Sequence, residues 1–116
     1  MISELTRLLL EDMLDYAKRS VRFHAGMDAA ALDADEMRLF ALIRVLEVIG
    51  EAASKVPKEE QAALPQIPWR RIIDFRNLLI HGYGRVRTEA LVDVTRVHVP
   101  ALIAEIQRIL NQGAGE

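Results

Sequence analysis

The sequence predicts an all-α domain, and three observations predict it. Leu, Ile, Val and Ala dominate a composition that is 51% hydrophobic, while aromatic residues reach only 5%; sheet-rich domains draw more heavily on Tyr, Phe and Thr. Apolar residues recur at helical spacing in four separate stretches. At 116 residues the chain has the length of a single domain, residues 1–116, and it carries no repeat or low-complexity segment.

The first helix is expected from about Ile2 to His24, with Ile2, Leu5, Leu9, Met13, Tyr16, Ala17 and Ser20 on one stripe and Gly26 as its stop. The segment MDAAALDADE reads as a linker with helix-start character, and Asp33 or Asp35 can cap the next helix. That second helix is expected from about Glu36 to Lys55. Its middle, LFALIRVLEVIG, is apolar at nearly every angle around the axis, which predicts a second buried face against another copy of the chain or a partner. Arg44, Glu47 and Glu51 share one polar stripe; Glu47 and Glu51 are read as solvated or interfacial, with a role in orienting Arg76 as the alternative. Gly50 lies beside that stripe, where it can admit a close backbone approach.

Pro57 opens a short helical turn through Leu64, a fifth and minor helix, and Pro65 and Pro68 stiffen the connector. The third main helix is WRRIIDFRNLLIHG, with Pro68 at its start, Trp69 as a packing residue, Ile72, Phe75, Leu79 and Leu78 inward, and Gly82 as its stop. Thr88 is the expected N-cap of the fourth, with Glu89 favouring its positive end. Pro100 predicts a kink near His98. Apolar spacing resumes at Ala101, Leu102, Ile106, Ile109 and Leu110, and NQGAGE reads as a frayed tail.

The chain has no cysteine, so disulfides and thiolate metal sites are excluded. The N-terminus lacks a basic lead before an apolar run, and no apolar stretch approaches the roughly 20 residues of a membrane span. A soluble, cytoplasmic protein is expected, with no membrane contact. No cofactor and no metal are expected either: there is no His/Asp cluster at ligand spacing, no phosphate-cradling glycine loop and no nucleophile elbow.

Charge is uneven. Residues 1–64 hold 12 acids and 8 bases (net −4), and residues 65–116 hold 5 acids and 7 bases (net +2). Five arginines, Arg70, Arg71, Arg76, Arg85 and Arg87, crowd residues 70–87 against the single acid Asp74. Guanidinium forks suit phosphate oxygens, so these side chains are candidate RNA-binding residues; an ordinary solvated surface is the alternative.

Within this segment Asn77 and His81 are four residues apart and stack on one helix face, with Arg76 one step round and Tyr83 just past the helix end. The four residue types suit RNA cleavage without metal. The ribose 2′-OH attacks the neighbouring phosphorus, so one proton must leave, another must reach the departing oxygen, and charge on phosphate must be stabilised. His81 is matched to proton transfer near neutral pH, Arg76 to clamping the phosphate, Asn77 to orienting the imidazole or binding sugar, and Tyr83 to phosphate or base contact. One His does not readily serve as both acid and base, so a dimer pairing two His81 side chains is expected. The plainer alternative is a His placed favourably against a helix C-terminus. His24 and His98 have no such company and are read as structural.

Arg76-NLLI-His81-Gly82-Tyr83 has the pattern R-x4-H-x-Y. With its flank IPWRRIIDFRNLLIHGYG and the upstream ALIRVLEVIGEAASKVP, it resembles the HepT-like toxins of the HEPN superfamily of helical ribonucleases. The likeness covers almost the whole chain. It implies an antiparallel four- to five-helix bundle, a homodimer with the two motifs flanking a cleft, and a metal-independent endoribonuclease of a type II toxin–antitoxin system. Arg76 and His81 would be catalytic and Asn77 the supporting polar residue. It also implies an MNT-type minimal nucleotidyltransferase antitoxin that transfers AMP from ATP to the motif tyrosine, here Tyr83. Some members of the superfamily are instead non-catalytic nucleotide-binding or interaction modules. The Arg-rich GRVRTEA after the motif departs from relatives, which often carry an acidic or mixed stretch there; this bears on RNA affinity and on the antitoxin interface.

Overall fold

The computed structural model describes residues 2–114, with the side chains of Tyr83, Gly113 and Ala114 outside the described set. Among the described residues the chain is helical throughout, with no strand. Helix α1 spans Glu4–His24, α2 Ala29–Asp33, α3 Glu36–Lys55, α4 Lys58–Ala63 and α5 Trp69–Gly82. A 3-10 turn, Tyr83–Arg85, leads to α6, Thr88–Asp93; a π turn, Val94–His98, leads to α7, Val99–Ala114.

Capping explains the starts. Ser3 Oγ accepts from the Thr6 N–H at 3.1 Å, and Ser3 is tied to the α4 carboxylate of Glu60 through its N–H (2.6 Å) and hydroxyl (3.0 Å). Asp28 accepts from the Ala31 N–H, which turns the expected linker into the short helix α2. Asp35, one of the two foreseen caps, accepts from the Arg38 N–H at the start of α3. Helix α1 ends with two left-handed residues, Ala25 (φ 51°) and Gly26 (φ 70°), of which only the glycine adopts that conformation without steric cost.

Three expectations shift. The buried face of α1 is Thr6, Leu9, Leu10, Met13, Ala17, Ser20 and His24, while Leu5 is exposed: continued back from Leu9, the stripe turns three residues to Thr6 rather than four to Leu5. Arg87 occupies the N-cap position of α6, and the hydroxyl of Thr88 instead donates to Asp33, joining α6 to α2. The supposed frayed tail continues α7 as far as Ala114, beyond Ile109 and Leu110, which belong to or pack against the core. The irregularity expected near His98 is the π turn, closed by the Val99 N–H on the Val94 carbonyl. Pro100 has no N–H to offer the carbonyl four residues back, and widening the preceding turn accommodates that loss.

The core layer runs α7–α1–α3–α5, each helix packed mainly on the next. Leu10, Met13, Leu32, Leu42, Leu79 and Ile106 are fully buried, each stabilising the fold by about 1.5–3 kcal/mol. The resulting slab measures 47 × 26 × 19 Å, about two helices thick. Helix α3 occupies its middle and spends most of its all-round apolar surface on α1 and α5; only Met37 and Phe40 of its large apolar side chains stay exposed. Because α5 leans on α3 while α7 leans on α1, an apolar cavity of about 300 Å³ opens over Leu46 and Ile49, with Arg71 and His98 among its lining. Among the described residues no helix is long and apolar enough to cross a membrane.

Candidate active site

Helix α5 carries the motif, and one glycine of α3 decides how it sits. A Cβ on Gly50 would lie 2.2 Å from the Cβ of Arg76, 2.7 Å from its Cγ and 3.2 Å from the Ile72 carbonyl oxygen. No real side chain fits there, so α3 and α5 meet almost backbone to backbone, and the Arg76 stem lies in the space that Gly50 leaves. The close approach foreseen for Gly50 is therefore made, and by the motif arginine.

The side chain of Arg76 is only 26% exposed. Its Nη1 donates to Asn77 Oδ1 at 2.8 Å, and its Nη2 lies 3.9 Å from Glu51 Oε1. The other oxygen of Glu51 is 4.0 Å from Arg44 Nη2, while Arg44 Nη1 donates to Glu47 at 3.4 Å. Arg76 Nε is buried, with no hydrogen-bond partner among the described residues. The stripe Arg44, Glu47 and Glu51, read from the sequence as a solvated or interface feature, thus reaches the motif through Glu51. Of the two acids offered as alternative orienters of Arg76, it is Glu51, directly after Gly50, that packing brings to the guanidinium.

His81 is exposed in the last turn of α5, where the helix dipole favours positive charge. It lies five positions after Arg76, so on a regular helix the two side chains leave the axis about 140° apart and about 7.5 Å along it. The guanidinium turns toward α3 and the imidazole toward solvent. Of the four residues expected around one small volume, a hydrogen bond joins Arg76 to Asn77, and Asn77 shares the exposed face with His81. None joins His81 to another described residue. The backbone of Tyr83 lies in the 3-10 turn after α5; its side chain lies outside the described residues.

The arginine cluster divides. Arg70, seven residues before Asn77, shares the outward face; it is 95% exposed and lies 4.0 Å from Asp74. Arg71 lies on the other flank at the apolar cavity. Arg85 and Arg87 are exposed beyond the helix end. Leu78, expected to point inward, is exposed instead, as is Ile80, the two lying on either side of His81's face; α5 is held from one side only, and Leu79 takes the core position. His24 is buried, with Nε2 2.7 Å from the Met27 carbonyl oxygen, a structural role as expected. His98, by contrast, lies 3.7 Å from Asp93 and borders the cavity. No group of three or more potential metal ligands occurs among the described residues.

A family model described as "Ribonuclease HepT-like" matches residues 13–109, the span that holds α3, α5 and the whole R-x4-H-x-Y segment. The chain belongs to the HepT-like family. Across 110 residues it is 34% identical to "Putative RNase MJ0127" of Methanocaldococcus jannaschii, covering 95% of this chain and 91% of that one. It is 31% identical over 105 residues to "Putative RNase MJ0125" of the same organism, covering 90% of each. A 75-residue stretch is 35% identical to "Probable ribonuclease HepT" of Thermococcus cleftensis, covering 65% of this chain and 68% of that one. No solved structure matches the chain.

Proposed function

We propose that this HepT-like chain is a metal-independent endoribonuclease, the toxin of a type II toxin–antitoxin pair, acting as a homodimer on RNA held between two copies of α5. The observation that carries the reading is the placement of the motif: a half-buried, seated guanidinium at Arg76 and, five positions on along the same short helix, an exposed imidazole at His81 with no hydrogen bond to another described residue. The names of the relatives point the same way.

In this reading the 2′-OH of a ribose attacks the adjacent phosphorus, and the bond to the 5′-oxygen breaks. One imidazole takes the 2′ proton and another protonates the departing oxygen. Arg76 meets the charge that builds on the phosphate. A single chain offers one such imidazole, turned outward; a second copy laid against the exposed Leu78 and Ile80 supplies another. Asn77 holds Arg76 in plane and faces the sugar. Arg70, Arg85 and Arg87 lie where a strand leaving the site would pass, and Arg71 is further round.

The antitoxin proposed is an MNT-type nucleotidyltransferase. The Tyr83 oxygen attacks the α-phosphorus of ATP, AMP is transferred and pyrophosphate leaves, which sets a phosphate and a nucleoside at the end of α5 and blocks RNA. The test is direct. Purified protein, free of antitoxin, is incubated with RNA in EDTA. Cleavage that is lost in His81→Ala and Arg76→Ala supports the reading. Nucleotide binding with no cleavage supports a non-catalytic interaction subunit instead. Co-expression with the antitoxin should add the mass of AMP to the intact chain, and a Tyr83→Phe chain that still gained it would move the acceptor elsewhere.

A further inference from the structure

We propose that Glu51 is a positioning residue for Arg76, holding the guanidinium at a fixed angle without occupying the donors a phosphate needs. The proposal rests on the ribonuclease reading of Arg76 given above. Three observations converge on it. Gly50 brings the α3 backbone against the Arg76 Cβ and Cγ, so the stem of the side chain has no freedom on that side. Asn77 holds Nη1 at 2.8 Å. What remains free is rotation of the far end of the guanidinium, and among the described residues the carboxylate facing that end is Glu51, the residue next after Gly50 in α3.

The length of the contact matters. At 3.9 Å the carboxylate attracts Nη2 but makes no hydrogen bond to it. A bidentate pair would fill the donor fork. A longer contact orients the charge and leaves the Nη2 N–H groups unfilled. Arg44 sits 4.0 Å from the opposite oxygen of the same carboxylate, so the acid is shared between two cations rather than drawn fully onto Arg76. A negative charge beside the site also opposes RNA phosphate. Glu51 should therefore weaken ground-state binding while improving the placement of Arg76 in the transition state, a combination that a merely structural surface acid does not produce.

The experiment compares wild type, Glu51→Gln, Glu51→Asp and, as a control on an exposed acid of α4 outside the network, Glu59→Gln. Two quantities are read for each: single-turnover RNA cleavage, with RNA Kd measured separately, and hydrogen exchange at the Arg76 side-chain Nε–H by 15N NMR, its signal assigned by its absence in Arg76→Lys. Expected for Glu51→Gln is a cleavage rate lowered about 10- to 100-fold, the scale of a misplaced catalytic group, with RNA Kd unchanged or tighter and protection at Arg76 lost. Glu51→Asp recovers part of the rate, and Glu59→Gln leaves it unchanged. A Glu51→Gln chain with wild-type rate and wild-type protection overturns the proposal. If wild type cuts no RNA, the ribonuclease reading fails on its own, and the NMR arm still decides whether Glu51 holds Arg76: loss of protection in Glu51→Gln upholds the seat, and unchanged protection removes it.

Discussion

Helices α3 and α5 lie side by side, and the chain uses them in opposite ways. Seven residues of α3 are buried, Leu42, Val45, Leu46, Ile49, Gly50, Ala52 and Ala53; of α5 only Trp69 and Leu79 are. Yet α5 is hardly less apolar along its middle, where Ile72, Ile73, Phe75, Leu78, Leu79 and Ile80 occur within nine residues. Helix α3 is enclosed by its neighbours. Helix α5 is held from one side, and its far side presents Arg70, Asn77, Leu78, Ile80 and His81 outward. Apolar side chains exposed beside polar residues of catalytic type are what a contact surface needs and what an ordinary solvated helix face lacks.

That contrast can be broken most sharply within α5 itself. His81→Ala should reduce RNA cleavage by about 10²–10⁴-fold and leave thermal stability nearly unchanged, because the imidazole is exposed and no hydrogen bond ties it to another described residue. Leu79→Ala, two positions away and fully buried, should do the reverse to the fold, costing about 2–5 kcal/mol in denaturant unfolding. A His81→Ala variant that melts like Leu79→Ala would show that the outward face is part of the core after all.

Gly50→Ala probes the line where the two helices touch. The added methyl would meet Arg76 at 2.2 Å, so α3 and α5 must separate. Overpacking of this kind costs about 1–3 kcal/mol, and cleavage should fall further than the stability loss alone implies, since Arg76 moves with the shift. The smallest effect is expected far from α5. The carboxyl of Glu60 is held below its ordinary range, first by the hydrogen bond from the Ser3 N–H, while partial burial opposes that. A lowered folded-state pKa means that the contact stabilises above the ordinary carboxylate range and is lost as pH falls through and below it. Glu60→Gln should therefore lower Tm slightly at pH 7 and flatten its acid dependence, as read by melts at pH 7 and pH 3.

Much of the fold was legible because local chemistry set it. The boundaries of α3 and α5 are set by Asp35 ahead of one and by Pro68 and Gly82 around the other, and periodicity alone placed both helices. What escaped was decided between elements. Thr88 is a good cap in isolation, but Asp33 takes its hydroxyl. The linker became α2 because Asp28 caps it and Leu32 finds the core. The apolar breadth of α3 pointed to another copy or a partner, whereas α1 and α5 absorb most of it; the large apolar side chains left exposed include Met37 and Phe40 on α3, Leu78 and Ile80 on α5, and Leu5, Leu8 and Val21 on α1. At the candidate site the sequence marked Arg76, Asn77, His81 and Tyr83 by spacing. It offered Glu51 as an orienter of Arg76 only as the alternative to a solvated stripe, because a carboxylate one helix away has no fixed sequence distance from the arginine it faces.

The central claim is that the open side of α5 is where two chains meet and where RNA is cut. The most direct measurement is molar mass in solution by light scattering, with cleavage measured on the same samples, for wild type and for the double substitution Leu78→Asp, Ile80→Asp. The account predicts twice the chain mass and activity for wild type, and a folded single chain without cleavage for the variant. A wild-type single chain that cuts RNA, or a charged variant that still pairs and cuts, would contradict it.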